Sequence, residues 1–217
     1  MNDATPLEQR AVSRSAEITR AALIKAATAV FAEHGYEGGS VRLITQRALA
    51  NQAAVNYHFG GKEGLYREVL LVATKTLEQN SFLSPEEVDA RSPEEALRLY
   101  LHQFLLPLVK RDRVCSYLRI FAWESVRPSE PFNAFVATSP LRIFRLAERV
   151  VRRFLPDDAP AETVTFTTLW LAQQPMFFVR EAERLARPPF SLKFDDASLE
   201  RLVDTLTSLS LRGLANI

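Results

Sequence analysis

The stretch from Ser40 to Tyr66, SVRLITQRALANQAAVNYHFGGKEGLY, constrains the fold more than any other part of the chain. Val41, Ile44 and Ala48 recur at helical spacing, which predicts a helix with one apolar side. Leu49-Ala50-Asn51 interrupts that run, and Asn51 is a good N-cap for a second helix. That helix is very short, from Gln52 to about Phe59. It buries Val55 and Phe59, one turn apart, and leaves Gln52, Ala53, Asn56 and Tyr57 facing outward. Gly60-Gly61 ends it, and Lys62 and Glu63 open a third helix. Small and amide side chains on the open side of so short a helix suit entry into a DNA major groove. Alanine lets the backbone come close and can touch a thymine methyl, and Gln or Asn can pair with an adenine edge.

Together with TRAALIKAATAVFAEHGYEGGSV upstream, and as far as about Leu70, this stretch resembles the N-terminal helix-turn-helix domain of the TetR family of bacterial transcription regulators. The resemblance covers about a third of the chain. It implies that Gln52, Ala53, Ala54 and Asn56 meet base edges, and that Tyr57, His58 and Lys62 grip phosphates. It adds Ser40 and Arg42, at the head of the preceding helix, to the DNA-contact set. Hydroxyl, imidazole and ammonium donors are what phosphate contacts require, and the helix opening at Lys62 offers backbone N–H groups as well. Each of the three phosphate-gripping residues also has a plainer reading: His58 as a half-buried structural histidine, Tyr57 as a packing aromatic, Lys62 as a solvated lysine. The family usually has glycine where Leu49 stands. Leucine resists positive φ, so a somewhat different turn is expected. The Gly38-Gly39 pair before Ser40 is also looser than usual.

The rest of the sequence bounds the function. Its 217 residues, 47% hydrophobic, suffice for one large domain or two small ones. The formal net charge is +1, so DNA binding must rest on local placement of charge. A single cysteine, Cys115, rules out an internal disulfide and fits a reducing compartment. No run of about 18 apolar residues predicts a membrane span, and the polar N-terminus lacks the apolar stretch of a signal peptide. A soluble, cytoplasmic protein is expected. The histidines at 34, 58 and 102 are scattered, and no spacing suits zinc. No metal, cofactor or catalytic group is expected, so the chain does not read as an enzyme; a helical small-molecule enzyme stays open as a rival. Cys115, in VCSYLRIF, reads as buried and inert rather than as a reactive thiolate.

Six of the seven glycines lie before residue 65, and eleven of the twelve prolines lie at Pro85 or later. Tight turns between short helices therefore give way to longer segments punctuated by proline. Residues 1–14 read as a disordered arm, with Arg10 and Arg14, like Arg20 just beyond it, either brushing phosphates or simply solvated. Residues 15–66 read as the DNA-binding domain and 67–217 as a larger effector-binding and dimerisation domain. The first helix of the DNA-binding domain starts near Ala16, carries Leu23, Ile24, Ala27, Val30 and Phe31 as a stripe, and ends at Gly35. The helix from Lys62 to about Asn80 links the two parts. Two SPEE segments, from Ser84 and Ser92, read as helix starts within a loop and after it. Further helices are expected near 93–109, 112–126, 130–137, 140–154, 160–186 and 196–213, and no sheet: an all-α fold.

TLWLAQQPMFFVREAERLAR is apolar on more than one side and calls for two buried faces. It and the last helix read as a homodimer interface, a four-helix bundle with their mates, or alternatively as inner helices of a monomer. Phe104, Leu118, Phe121, Trp123, Phe135, Phe144, Trp170 and Phe177 could line an apolar effector pocket, with Glu124, Gln173 and Gln174 fixing orientation; plain core is the other reading. WESVRPSEPFNAF and QQPMFFVREAERL resemble one C-terminal subgroup of the family. The whole points to a repressor that binds a pseudo-palindromic double-stranded DNA operator as a homodimer. A small apolar or aromatic effector would release it. A DNA-binding dimer with no effector is the alternative.

Overall fold

The computed structural model describes residues 6–79, 84–110, 113–138 and 142–214. All of their regular structure is α-helical: α1 Pro6–Gly38, α2 Val41–Ala48, α3 Gln52–Phe59, α4 Lys62–Gln79, α5 Pro85–Asp89, α6 Pro93–Leu105, α7 Pro107–Lys110, α8 Arg113–Glu124, α9 Glu130–Thr138, α10 Arg142–Arg152, α11 Ala161–Leu185 and α12 Asp196–Leu214.

Local chemistry sets most boundaries. Ser40 caps α2 by accepting from the Leu43 N–H at 3.2 Å, and Asn51 caps α3 by accepting from the Ala54 N–H at 2.8 Å. Gly60 closes α3 in the left-handed conformation at φ 72. Gly64 lets α4 start so soon afterwards: a Cβ there would sit 1.8 Å from the Phe59 carbonyl oxygen. Both SPEE segments form complete capping boxes, Ser84 with Glu87 and Ser92 with Glu95. The first of them opens a short helix inside the expected loop.

Two expectations need correction. The arm does not stay irregular, because α1 already runs from Pro6, and residues 1–5 lie outside the described residues. Proline is tolerated at a first helical position, and each residue added to an existing helix gains a hydrogen bond without a new nucleation cost. Gly35 does interrupt the helix as expected, at φ 67 and ψ 179, and a short second helical stretch follows the kink to Gly38. The helix expected over 93–109 breaks at Leu106, because Pro107 has no N–H to continue the ladder.

Two apolar cores result. One joins α1 to α4 through Leu23, Ala27, Val30, Phe31, Ile44, Val55, Leu65 and Tyr66, and α8 and α9 complete it with Tyr117, Ile120, Phe121, Phe132 and Phe135. The other gathers α5, α6, α8, α10, α11 and α12 around Leu97, Tyr100, Leu101 and Phe104. α8 contributes to both, so the first core extends past residue 66 into the later helices.

Candidate DNA-reading surface

The second and third helices stand where a short exposed helix needs them. α3 buries Val55 completely, and Phe59 and Ala54 are partly covered against the first core. Gln52, Ala53 and Asn56 are exposed, and Tyr57 is 81% exposed. These four share the outward face that their spacing predicts. Ser40 and Arg42 are exposed at the head of α2, whereas His58 and Lys62 are half-buried. Tyr57 is therefore not an inward packing aromatic: its ring meets only the edge of His58, with centroids 4.9 Å apart, among its ring contacts. Lys62 is not simply solvated either, since its ammonium lies 4.3 Å from the centroid of the Tyr36 ring.

The unit is braced from behind. Arg47 grips Glu33 with two hydrogen bonds, 2.8 and 2.7 Å, tying α2 to α1. That bond holds the Glu33 carboxyl below the ordinary carboxylate range. Arg20 pairs with Glu68, tying α1 to α4, and its guanidinium stands 5.3 Å from the Phe59 ring centroid. Arg47 is thus committed to a carboxylate, while Arg42 stays exposed at the head of α2.

Leu49, in the turn between α2 and α3, adopts the left-handed conformation at φ 53 and ψ 38. The different turn expected from its side chain does not occur. The backbone keeps the geometry that glycine would adopt, and the N–H groups of Leu49 and Ala50 bond back to Gln46 and Thr45.

The residues expected to line an effector pocket are divided between the two cores and the surface. Phe104 and Leu118 belong to the second core, Phe121 and Phe135 to the first. Phe144 is half-buried against both cores. On α11, Gln173 and Gln174 are half-buried, while Trp170 and Phe177 lie open. Trp123 instead packs on Gly35 and donates its indole N–H to the Ala32 carbonyl at 3.1 Å, clasping α8 to the end of α1. Glu124 is engaged elsewhere too. Its buried carboxylate accepts from the Tyr66 hydroxyl on α4, from the Ser129 N–H at 2.6 Å and from the Ser129 hydroxyl at 2.9 Å. Burial and the nearby Glu124 charge push the Tyr66 phenol well above its ordinary range, so the proton stays on tyrosine. Sequence reasoning missed this junction. The signal was there: Glu124 comes after Tyr117 and Phe121 at helical spacing, which places it on the inward side of α8.

A family model described as "Bacterial regulatory proteins, tetR family" matches residues 23–69, the braced unit and the start of α4. A second, the C-terminal domain of the HTH-type transcriptional dual regulator CecR, matches residues 93–214, more than half of the chain. The chain belongs to the TetR family. Among TetR-family relatives, the repressor NicS of Pseudomonas putida is 34% identical over 86 residues, 40% of this chain and 40% of its own length. The repressor AcnR of Corynebacterium efficiens is 31% identical over 80 residues, 35% of this chain and 43% of its own length. The chain therefore matches about two fifths of the length of these relatives. Among solved structures, a TetR-like transcriptional regulator from Rhodococcus sp. RHA1 superposes with a TM-score of 0.63 at 16% identity, over 92% of this chain and 97% of that one. AibR, solved with isovaleryl coenzyme A and operator DNA, gives 0.63 at 16% identity over 88% and 97%. At such identities these likenesses concern the fold. Among the described residues, no helix is long and apolar enough to cross a membrane, and no group of three or more His, Cys, Asp or Glu is placed to hold a metal ion.

Proposed function

We propose that this TetR-family chain is a ligand-responsive repressor that binds a pseudo-palindromic operator as a homodimer. Residues 15–66 read the DNA, and 67–217 carry dimerisation and effector binding. The observation that carries this reading is the outward face of α3. Gln52, Ala53 and Asn56 stand exposed on a helix fixed by Val55, with Arg42, Tyr57, His58 and Lys62 around it. Amide side chains there read base edges, and the hydroxyl and cationic groups hold phosphates. Paired by a two-fold axis, two such helices enter major grooves one helical turn apart, about 34 Å. Support for an effector comes from the fold: AibR, a structural neighbour, was solved with isovaleryl coenzyme A and operator DNA. An effector moves this equilibrium only by its difference in affinity between the DNA-binding and DNA-released forms.

The two kinds of contact respond differently to substitution. Gln52→Ala or Asn56→Ala relaxes base preference by about 1–3 kcal/mol at one operator position. Lys62→Ala weakens binding to all sequences alike and flattens the salt dependence. Operator titrations over a range of salt separate the two. Unchanged binding in all three variants would overturn the assignment of α3.

A further inference from the structure

A cavity of about 390 Å³ lies between α7, the segment from Ser191 to Phe194, and the first half of α12. Its volume falls within the range of about 300–1,000 Å³ typical of small-molecule sites. None of the residues expected from the sequence lines it. Leu108, Leu199 and Leu202 give it apolar walls, and Lys193 and Arg201 bring two cations to it. Both cations are exposed and no residue lining the cavity is acidic, while the nearby Asp195 carboxylate is held below its ordinary range by its bonds to Ser198 and, less, by the charges of Arg201 and Lys193. The acid nearest in sequence to Lys193, Asp195, accepts the Ser198 N–H at 2.8 Å and so is committed to starting α12.

Two features show that the mouth is built rather than incidental. Arg201 donates to the Ser198 hydroxyl at 2.9 Å, which fixes the guanidinium along the helix. Ser191 holds the left-handed conformation at φ 50, a costly one for a residue with a side chain. Its N–H bonds to the Arg187 carbonyl at 3.0 Å, and the next N–H, of Leu192, bonds to Leu185 at 2.8 Å. The segment carrying Lys193 is thereby pinned to the end of α11.

We infer that this cavity binds a small amphiphilic carboxylate, its chain on the leucines and its headgroup on Lys193 and Arg201. Two cations beside an apolar wall discriminate against neutral chains, because the headgroup gains charge-assisted hydrogen bonds that an alcohol cannot match. Occupancy presses on Leu108 of α7, which packs against α8, the helix that holds Glu124 against Tyr66. That consequence rests on the proposed regulator function; binding itself does not.

The test is calorimetric titration of the full chain with decanoate and with 1-decanol. Decanoate binds saturably at one site per chain, and decanol at least tenfold more weakly. The double variant K193Q/R201Q loses at least tenfold in decanoate affinity, with its operator affinity in the absence of ligand unchanged. Equal affinity for the two probes, no saturation, or undiminished binding by the variant each overturns the site. So does a variant with an altered oligomeric state and no decanoate binding in the parent, which would give the groove to a second copy of the chain. Failure of operator binding with decanoate binding intact would sink the regulator reading and leave this site standing.

Discussion

Leu49 sits at φ 53 and ψ 38 with 96% of its surface exposed, so its strained backbone is offset by almost no burial. A left-handed conformation costs an L-residue about 1–2 kcal/mol. Glycine removes that cost but loses about 0.5–1 kcal/mol through its freedom in the unfolded chain. Leu49→Gly therefore raises stability by about 0.5–1 kcal/mol, measurable as a higher urea midpoint with an unchanged slope. A lower midpoint would mean that the leucine side chain contributes something its exposure hides. Gly64 is the opposite case: it is required for space, because any side chain there meets the backbone of Phe59. At this scale the sequence was informative wherever a residue acts on its own backbone. Ser40, Asn51 and Gly60 mark the ends of α2 and α3 because capping is local chemistry. Leu49 misled, because side-chain preference lost to the hydrogen bonds that close the turn.

Between elements, the contact of α4 with α8 joins the two cores. The Tyr66 hydroxyl donates to buried Glu124, while the Tyr66 ring lies 4.7 Å from Tyr36 and 4.8 Å from Phe31, centroid to centroid. Tyr36 in turn carries the Lys62 ammonium. A continuous set of contacts thus runs from α8 to Lys62 at the head of α4, a residue of the proposed DNA-reading surface. Hydrogen bonds to a charged group are worth about 1.5–3 kcal/mol each. Tyr66→Phe destabilises by about that amount, and Glu124→Gln by at least as much, since a carboxamide presents an N–H where the carboxylate accepted. The double variant costs less than the sum, with a coupling of about 1–3 kcal/mol in a denaturation cycle. Additive effects would show that the two groups do not act as a pair. This junction was hard to read in advance because nothing local betrays it. Tyr66 and Glu124 are 58 positions apart, and the inward side of α8 mixes an acid with aromatics. Trp123, its neighbour, carries the aromatic signature of a pocket and serves as a clasp on α1. Helical spacing assigns a residue to a face of its helix; what that face meets is decided by packing.

At the scale of the whole molecule, α11 leaves a broad apolar face without a partner in one chain. Phe166, Leu169, Trp170 and Phe177 are all exposed and recur along one side of the helix, with Leu209 of α12 exposed at 59%. The opposite side of α11 is already buried against α6, α8 and α10. The two apolar sides evident in its sequence are therefore one face in the core and one face outside it. A contiguous apolar face of this size is the mark of an interaction site, and in the homodimer proposed above a two-fold axis through α11 would cover it with its own copy. Most large apolar side chains on this surface belong to α11, so in that proposed dimer α11 would bear the greater part of the contact, with α12 at its edge. Trp170→Glu places an uncompensated charge in that contact and shifts the chain to monomer in sedimentation equilibrium, whereas Leu209→Glu, with fewer apolar neighbours, shifts it less. Each monomer still folds, because none of these side chains belongs to either core. Binding to an isolated half-site survives in the Trp170 variant, while affinity for the paired operator falls toward that of a half-site. The second recognition helix then binds no longer at the effective concentration its partner supplies, an advantage of about 10²–10⁴ for linked sites. Retention of full operator affinity by a monomeric variant would show that the DNA is read by single chains.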